Sequence, residues 1–73
     1  MMDRNYEDLA NAIVVQAVKD YREALNKLKK EPRSIGAKVT KLEIEIFFRS
    51  SWYRELTTLD PEMLIEKLKE EIA

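Results

Sequence analysis

A chain of 73 residues is expected to form one domain, residues 1–73, and a core of that size rarely contributes more than about 3 to 5 kcal/mol unless a disulfide, a metal or a partner adds to it. There is no Cys and no His, which excludes disulfides, thiolate nucleophiles and zinc-thiolate sites and removes the commonest general base and metal ligand. Charged residues make up 37% of the chain yet nearly cancel at a net of -1, and with one Gly and two Pro there is little material for turns, so the expected fold is all-α, a small bundle of three to four helices.

The first element is a long N-terminal amphipathic helix. Tyr6, Leu9, Ala10, Ile13, Ala17, Val18, Tyr21, Leu25 and Leu28 recur at steps of three and four, with Asp8, Lys19, Arg22, Asn26 and Lys29 between them. Asp3 or Asn5 can cap its start, Glu7 and Asp8 suit the positive end of its dipole, and Lys27, Lys29 and Lys30 suit the negative end. Pro32 stops the helix near Lys30, because a proline disfavours helical geometry in the residue before it. From Tyr6 to Lys30 such a helix runs about 37 Å, whereas a compact domain of this length is roughly 29 Å across. Leu25 and Leu28 are therefore expected on an overhanging turn, and a symmetric homodimer along this helix is the simplest cover for them.

The middle segment, from about Ile35 to Arg49, admits two readings. Ser34 can cap a helix that puts Ile35, Val39, Leu42 and Ile46 on one stripe and pairs Glu45 with Arg49. Across positions 39–48, however, Leu42, Ile44, Ile46 and Phe48 also alternate with Lys41, Glu43, Glu45 and Phe47 in the period of a half-buried strand. Helix is the expected state, because a lone strand needs a partner and no second segment alternates in this way.

Ser50 or Ser51 then restarts a short helix through Trp52, Tyr53 and Leu56, which stops at Thr57 and Thr58. Asp60, Pro61 and Glu62 open the last helix with an N-cap, a proline at the first helical position and an acid in the first turn. Leu64, Ile65, Leu68 and Ile72 form its apolar face.

Two stretches carry a resemblance. The chain reads LANAIV-x-QAVKDYR at Leu9 to Val14 and Gln16 to Arg22, and FF-x-S-x-W-[FY]-x-x-L-T-x-x-D-x-E-x-L-I at Phe47, Phe48, Ser50, Trp52, Tyr53, Leu56, Thr57, Asp60, Glu62, Leu64 and Ile65. In both it resembles small, mostly uncharacterised helical proteins encoded in prophages and integrative mobile elements of Gram-positive bacteria. The resemblance implies mobile-element origin and brings no catalytic residues with it. Lys27 to Lys41 has no counterpart in that pattern.

Residue chemistry points away from an enzyme. Glu43 with Glu45, or Glu62, Glu66 and Glu70, lie among lysines with no His or Gly-bearing loop, and read as solvated charged faces rather than an acid-base pair or a metal cage. Ser50, Ser51, Thr57 and Thr58 have no partner base and read as caps. No cofactor and no metal is expected. Two binding surfaces remain. Phe47, Arg49, Trp52, Tyr53 and Arg54 mix rings and guanidinium groups as protein interfaces do, although Phe48 and Trp52 are expected in the core. Lys27, Lys29, Lys30, Arg33, Lys38 and Lys41, against Glu31 alone, form a basic linker that could contact the phosphates of nucleic acid. The near-neutral net charge favours the first reading, a non-enzymatic module that binds a host or element protein. No apolar run approaches the roughly 20 residues of a membrane span, and the absence of Cys suits a reducing interior, so the expected location is the cytoplasm of a bacterial host.

Overall fold

The computed structural model describes residues 4–72, with side chains from Tyr6 onward. Four helices follow one another, α1 (Arg4–Lys30), α2 (Ile35–Phe48), α3 (Ser51–Leu56) and α4 (Pro61–Ile72), and no strand occurs among the described residues. Positions 39–48 are thus helical. The long α1 acts as the spine: α2 packs against it most extensively, and α4 and α3 fill the remaining side.

Local chemistry sets the boundaries. Ser34 Oγ accepts from the Ala37 amide at 3.3 Å and starts α2. Ser50 Oγ accepts from the Tyr53 amide at 3.2 Å and donates to the Phe47 carbonyl at 2.6 Å, so one hydroxyl starts α3 and ties it to the end of α2. Asp60 Oδ1 accepts from the Glu62 amide at 2.9 Å, with Pro61 in the first turn of α4. At the start of α1, Asn5 lies inside the helix rather than capping it, and Asp3 falls outside the described residues.

Val14, Tyr21, Phe48, Tyr53, Ile65 and Leu68 form the buried core, joined at its edge by Ala17, Val18, Leu25, Ile44, Phe47, Leu56 and Leu64. Its centre is aromatic. Phe48 meets Tyr21 at 5.8 Å and Tyr53 at 5.6 Å between ring centroids, both edge-on, the arrangement that aromatic quadrupoles favour. Ala24 and Ala37 are also buried, one on each of the paired helices, and their small side chains let α1 and α2 approach closely.

The stripe Ile35, Val39, Leu42 and Ile46 faces solvent, because α2 buries Ala37, Glu45 and Phe48 instead. Two sequence expectations are corrected. Glu45 does not belong to a solvated charged face; it is the one buried charged side chain among the described residues. Leu25 and Leu28 do not overhang. Leu25 packs on the core beside Lys69 and Ile72 of α4, and Leu28 lies beside Pro32, Lys41 and Leu42, so the exposed large apolar side chains of α1 lie in its N-terminal half instead, Leu9 and Val15 among them.

Glu45 has partners from three helices. Its Oε2 accepts from the Tyr21 hydroxyl at 2.5 Å and lies 2.9 Å from Lys41 Nζ and 3.9 Å from Lys69 Nζ, while Oε1 lies 3.8 Å from Arg49. Burial alone would raise the carboxyl's pKa, but the Tyr21 hydroxyl and the lysines outweigh it and keep the pKa below the usual value. Burial, followed by the bond to Glu45, pushes the Tyr21 phenol well above its ordinary pKa. Two exposed clamps close the bundle: Arg22 makes a paired contact with Glu71 at 2.8 and 3.1 Å, and Arg49 with Glu62 at 2.6 and 3.0 Å. Tyr53 is as buried as Tyr21, yet its hydroxyl has no hydrogen-bond partner.

The two tyrosines should therefore respond oppositely to loss of the hydroxyl. Tyr21→Phe removes a bond to a buried charge and is expected to lower the unfolding free energy by about 1.5 to 3 kcal/mol, whereas Tyr53→Phe removes an unpartnered group and should leave stability unchanged or raise it by about 1 kcal/mol. Urea titration of both variants beside the wild type measures this directly.

Acid sensitivity follows from the same network. A carboxylate whose folded pKa is depressed contributes stability that is present above its unfolded value, about 4.3 for Glu, and that is lost as pH falls through the folded value. Glu45, Glu62 and Glu71 all have this sign, the last two through their arginine contacts. Melting temperature is expected to fall as pH drops below the ordinary carboxylate range. Glu45→Gln should be less stable near neutrality and show a shallower acid slope; an unchanged slope would mean that Glu45 is not linked to folding.

Candidate partner-binding groove

Beyond the core, the rings of the aromatic segment separate according to the turn at Arg49 and Ser50. Phe48 ends α2 pointing inward, and the cap at Ser50 restarts the chain so that Tyr53 also points inward, fully buried. Trp52 precedes Tyr53 by one helical position and consequently faces away, 52% exposed. It is not a core residue. It rests edge-on against Phe47, with centroids 5.6 Å apart, and Phe47 in turn meets Phe48 and Tyr53, so the exposed indole stands on the buried cluster through a single ring.

Phe47 and Trp52 close one end of a groove of about 470 Å³ between α1 and α2. Ala12, Ile13 and Ala17 of α1 and Ile44 of α2 make its apolar surface, while Gln16, Asp20 and Glu43 supply its polar groups. The small side chains at 12 and 17 hollow it out. Gln16 Nε2 donates to Asp20 Oδ1 at 2.9 Å, leaving the polar groups acidic overall. A hollow with apolar walls, one aromatic end and two carboxylates suits an apolar anchor flanked by basic groups.

The five residues expected to bind a partner are distributed unevenly. Phe47 and Trp52 line the groove. Tyr53 is buried and offers no surface, and the Arg49 guanidinium is committed to Glu62 and Glu45. Arg54 is exposed and makes no ion pair with another described residue. The α1 wall was not anticipated; Ile13, Ala17 and Asp20 follow a helical four-three spacing, but their meeting with Phe47 depends on how α1 and α2 pair.

The basic positions are likewise divided. Lys29 Nζ donates to the Ile72 carbonyl at 2.9 Å and Lys41 serves Glu45, so both are used inside the bundle. Lys27, Lys30, Arg33 and Lys38 remain exposed around the turn from α1 to α2 without an ion pair among the described residues. No group of three or more acidic side chains among the described residues could hold a metal ion, and no helix among them is long and apolar enough to cross a membrane. The chain matches no family model, no curated protein and no solved structure.

The exposed setting of Trp52 makes it a surface probe that can be removed without loss of the fold. Trp52→Ala should forgo about 1 kcal/mol of ring contact with Phe47, against the 3 to 5 kcal/mol that a buried tryptophan would lose. Circular dichroism with thermal melting tests this, and the wild-type fluorescence maximum should lie toward that of a hydrated indole.

Proposed function

We propose that the protein is a non-enzymatic protein-binding module of phage or mobile-element origin, acting by occupying a surface of a host or element protein. The observation that carries this reading is the apolar groove that ends on the half-exposed Trp52. Tryptophan is among the residues most often found to dominate interface energetics, and a half-exposed indole held by one ring contact has area left to bury. The partner that fits is an amphipathic helix presenting an apolar side chain to the groove and Lys or Arg to Asp20 and Glu43. Inhibition or adaptation of a host protein, such as a defence factor, suits an element-borne module of this size. The mobile-element origin rests on the sequence resemblance alone, and the cytoplasmic setting on the absence of cysteine.

A nucleic-acid-contacting accessory role has narrower support, since four free cations gather at the α1–α2 turn while the other two stabilise the bundle. Salt separates the two readings. Phosphate contacts release counterions and weaken steeply as salt rises, whereas groove binding through apolar area does not. Immobilised wild-type protein should retain a host protein from lysate at high salt and in the presence of nuclease, and Trp52→Ala or Ile13→Glu should abolish retention at unchanged helicity. Binding of duplex DNA at low salt that falls with salt and is lost in Lys30→Gln/Arg33→Gln, with no effect of Trp52→Ala, would instead establish the second role.

A further inference from the structure

Helix α2 is apolar on two opposite faces. Ala37, Ile44 and Phe48 lie toward α1, and on the other side Ile35, Val39, Leu42 and Ile46 are 76, 49, 58 and 61% exposed. A helix apolar on both faces belongs in an interior, yet this chain covers only one of them. Scattered exposed side chains need no explanation, whereas a continuous stripe along a helix about 21 Å long does.

The stripe also has a register. Its steps of four, three and four place Val39 and Ile46 at the first core position of a heptad and Ile35 and Leu42 at the second, with Lys38 and Glu43 on opposite flanks. We propose that the protein forms a two-fold homodimer in which the outer faces of two α2 helices pair in parallel and in register. In the middle and at the C-terminal end of the stripe the apolar residues favour two strands, because β-branched Val39 and Ile46 at the first position with Leu42 at the second are those of parallel pairs, and Ile35 departs from this only at the first residue of the helix. The charges favour the same orientation. Parallel pairing sets Lys38 of each copy beside Glu43 of the partner subunit, forming two opposite-charge contacts, and both residues are exposed and unpaired within the protomer. Antiparallel pairing with Ile35 opposite Ile46 would instead turn Lys38 toward Glu45 of the partner subunit, a carboxylate already held by Tyr21 and Lys41, and Glu43 toward the partner's Gly36, so both exposed charge pairs would be lost. Of the two remaining flank positions, Glu45 is turned inward to Tyr21, and Gly36 meets nothing within 4 Å where a Cβ would stand and leaves room for the second helix. Two stripes of this length with their flanks bury on the order of 1,000 Å², the lower end for a specific interface, so the dimer forms reversibly with concentration.

This surface differs from the groove; only Glu43 borders both. The test is sedimentation equilibrium of the full chain from low micromolar to near-millimolar concentration. The expected result is a mass rising toward twice that of the monomer for the wild type and for Trp52→Ala, and a monomer throughout for Ile46→Lys at unchanged helicity. Lys38→Glu should weaken association roughly fivefold, and Lys38→Glu/Glu43→Lys should restore it. Orientation is read by oxidising cysteine variants of a chain that has none of its own. In the parallel dimer, two copies of the Ile46→Cys variant lie close enough for a disulfide. A monomeric wild type at the highest concentration, a dimer insensitive to Ile46→Lys, or cross-linking only in mixtures of Ile35→Cys with Ile46→Cys would each overturn the proposal.

Discussion

The ionised carboxylate of Glu45 sets how the helices are arranged. A charge in that position is tolerated only because α1 supplies the Tyr21 hydroxyl, α2 supplies Lys41, and Lys69 of α4 and Arg49 lie within 4 Å of it. Its net contribution to stability is modest beside that of the apolar core, where each large side chain buried contributes about 1.5 to 3 kcal/mol. What it supplies is orientation. Rotating α2 about its axis to bury Ile35, Val39, Leu42 and Ile46 would expose Ile44 and Phe48, undo the edge-on contact with Tyr21, and leave the carboxylate without its hydroxyl donor. The larger apolar stripe therefore faces outward because the smaller one is keyed to α1 by a specific polar contact.

This explains which parts of the structure could be read from the sequence. Helix limits depend on residues within a few positions of one another: Ser34, Ser50 and Asp60 as caps, and Pro32 and Pro61 as punctuation, all of which are local and were legible. The buried faces of α4 and much of α1 follow from periodicity, because each has one apolar side. Periodicity fails for α2, which has two. Choosing between them needs the pairing of Tyr21 with Glu45, 24 positions apart, and in the sequence Glu45 is only another charge between Lys41 and Arg49. Trp52 and Tyr53 were exchanged for a related reason. Size suggested that the indole was core, but the orientation of α3 is fixed by the Ser50 cap, which turns position 53 inward and 52 outward. Of the groove, Phe47 was legible as a partner-binding ring and Trp52 was expected in the core instead, while the α1 wall could not be seen without the α1–α2 pairing.

The remaining apolar surface is organised in a way that intramolecular stability does not require. A domain this small has a marginal core, and Ile35, Leu42 and Ile46 add little to it while raising the hazard of nonspecific association. The groove likewise keeps Trp52 half in solvent when a smaller residue would leave the Phe47, Phe48 and Tyr53 cluster intact. Both features make sense if the buried core only needs to hold surfaces whose stabilising contacts come from other chains.

The orientation of the proposed dimer bears on how those surfaces would act together. Trp52 follows the C-terminal end of α2, so parallel pairing brings both tryptophan-ended grooves to the same end of the assembly, whereas antiparallel pairing would send them to opposite ends. Two grooves facing one way can engage a two-fold partner at once. The second contact is then intramolecular, and overall affinity exceeds that of a single groove by the effective concentration of the second site without any new contact being made. A weak groove and a weak dimer interface, each limited by the size of a short chain, would in this way reinforce one another, since a partner that spans both grooves also holds the two copies together.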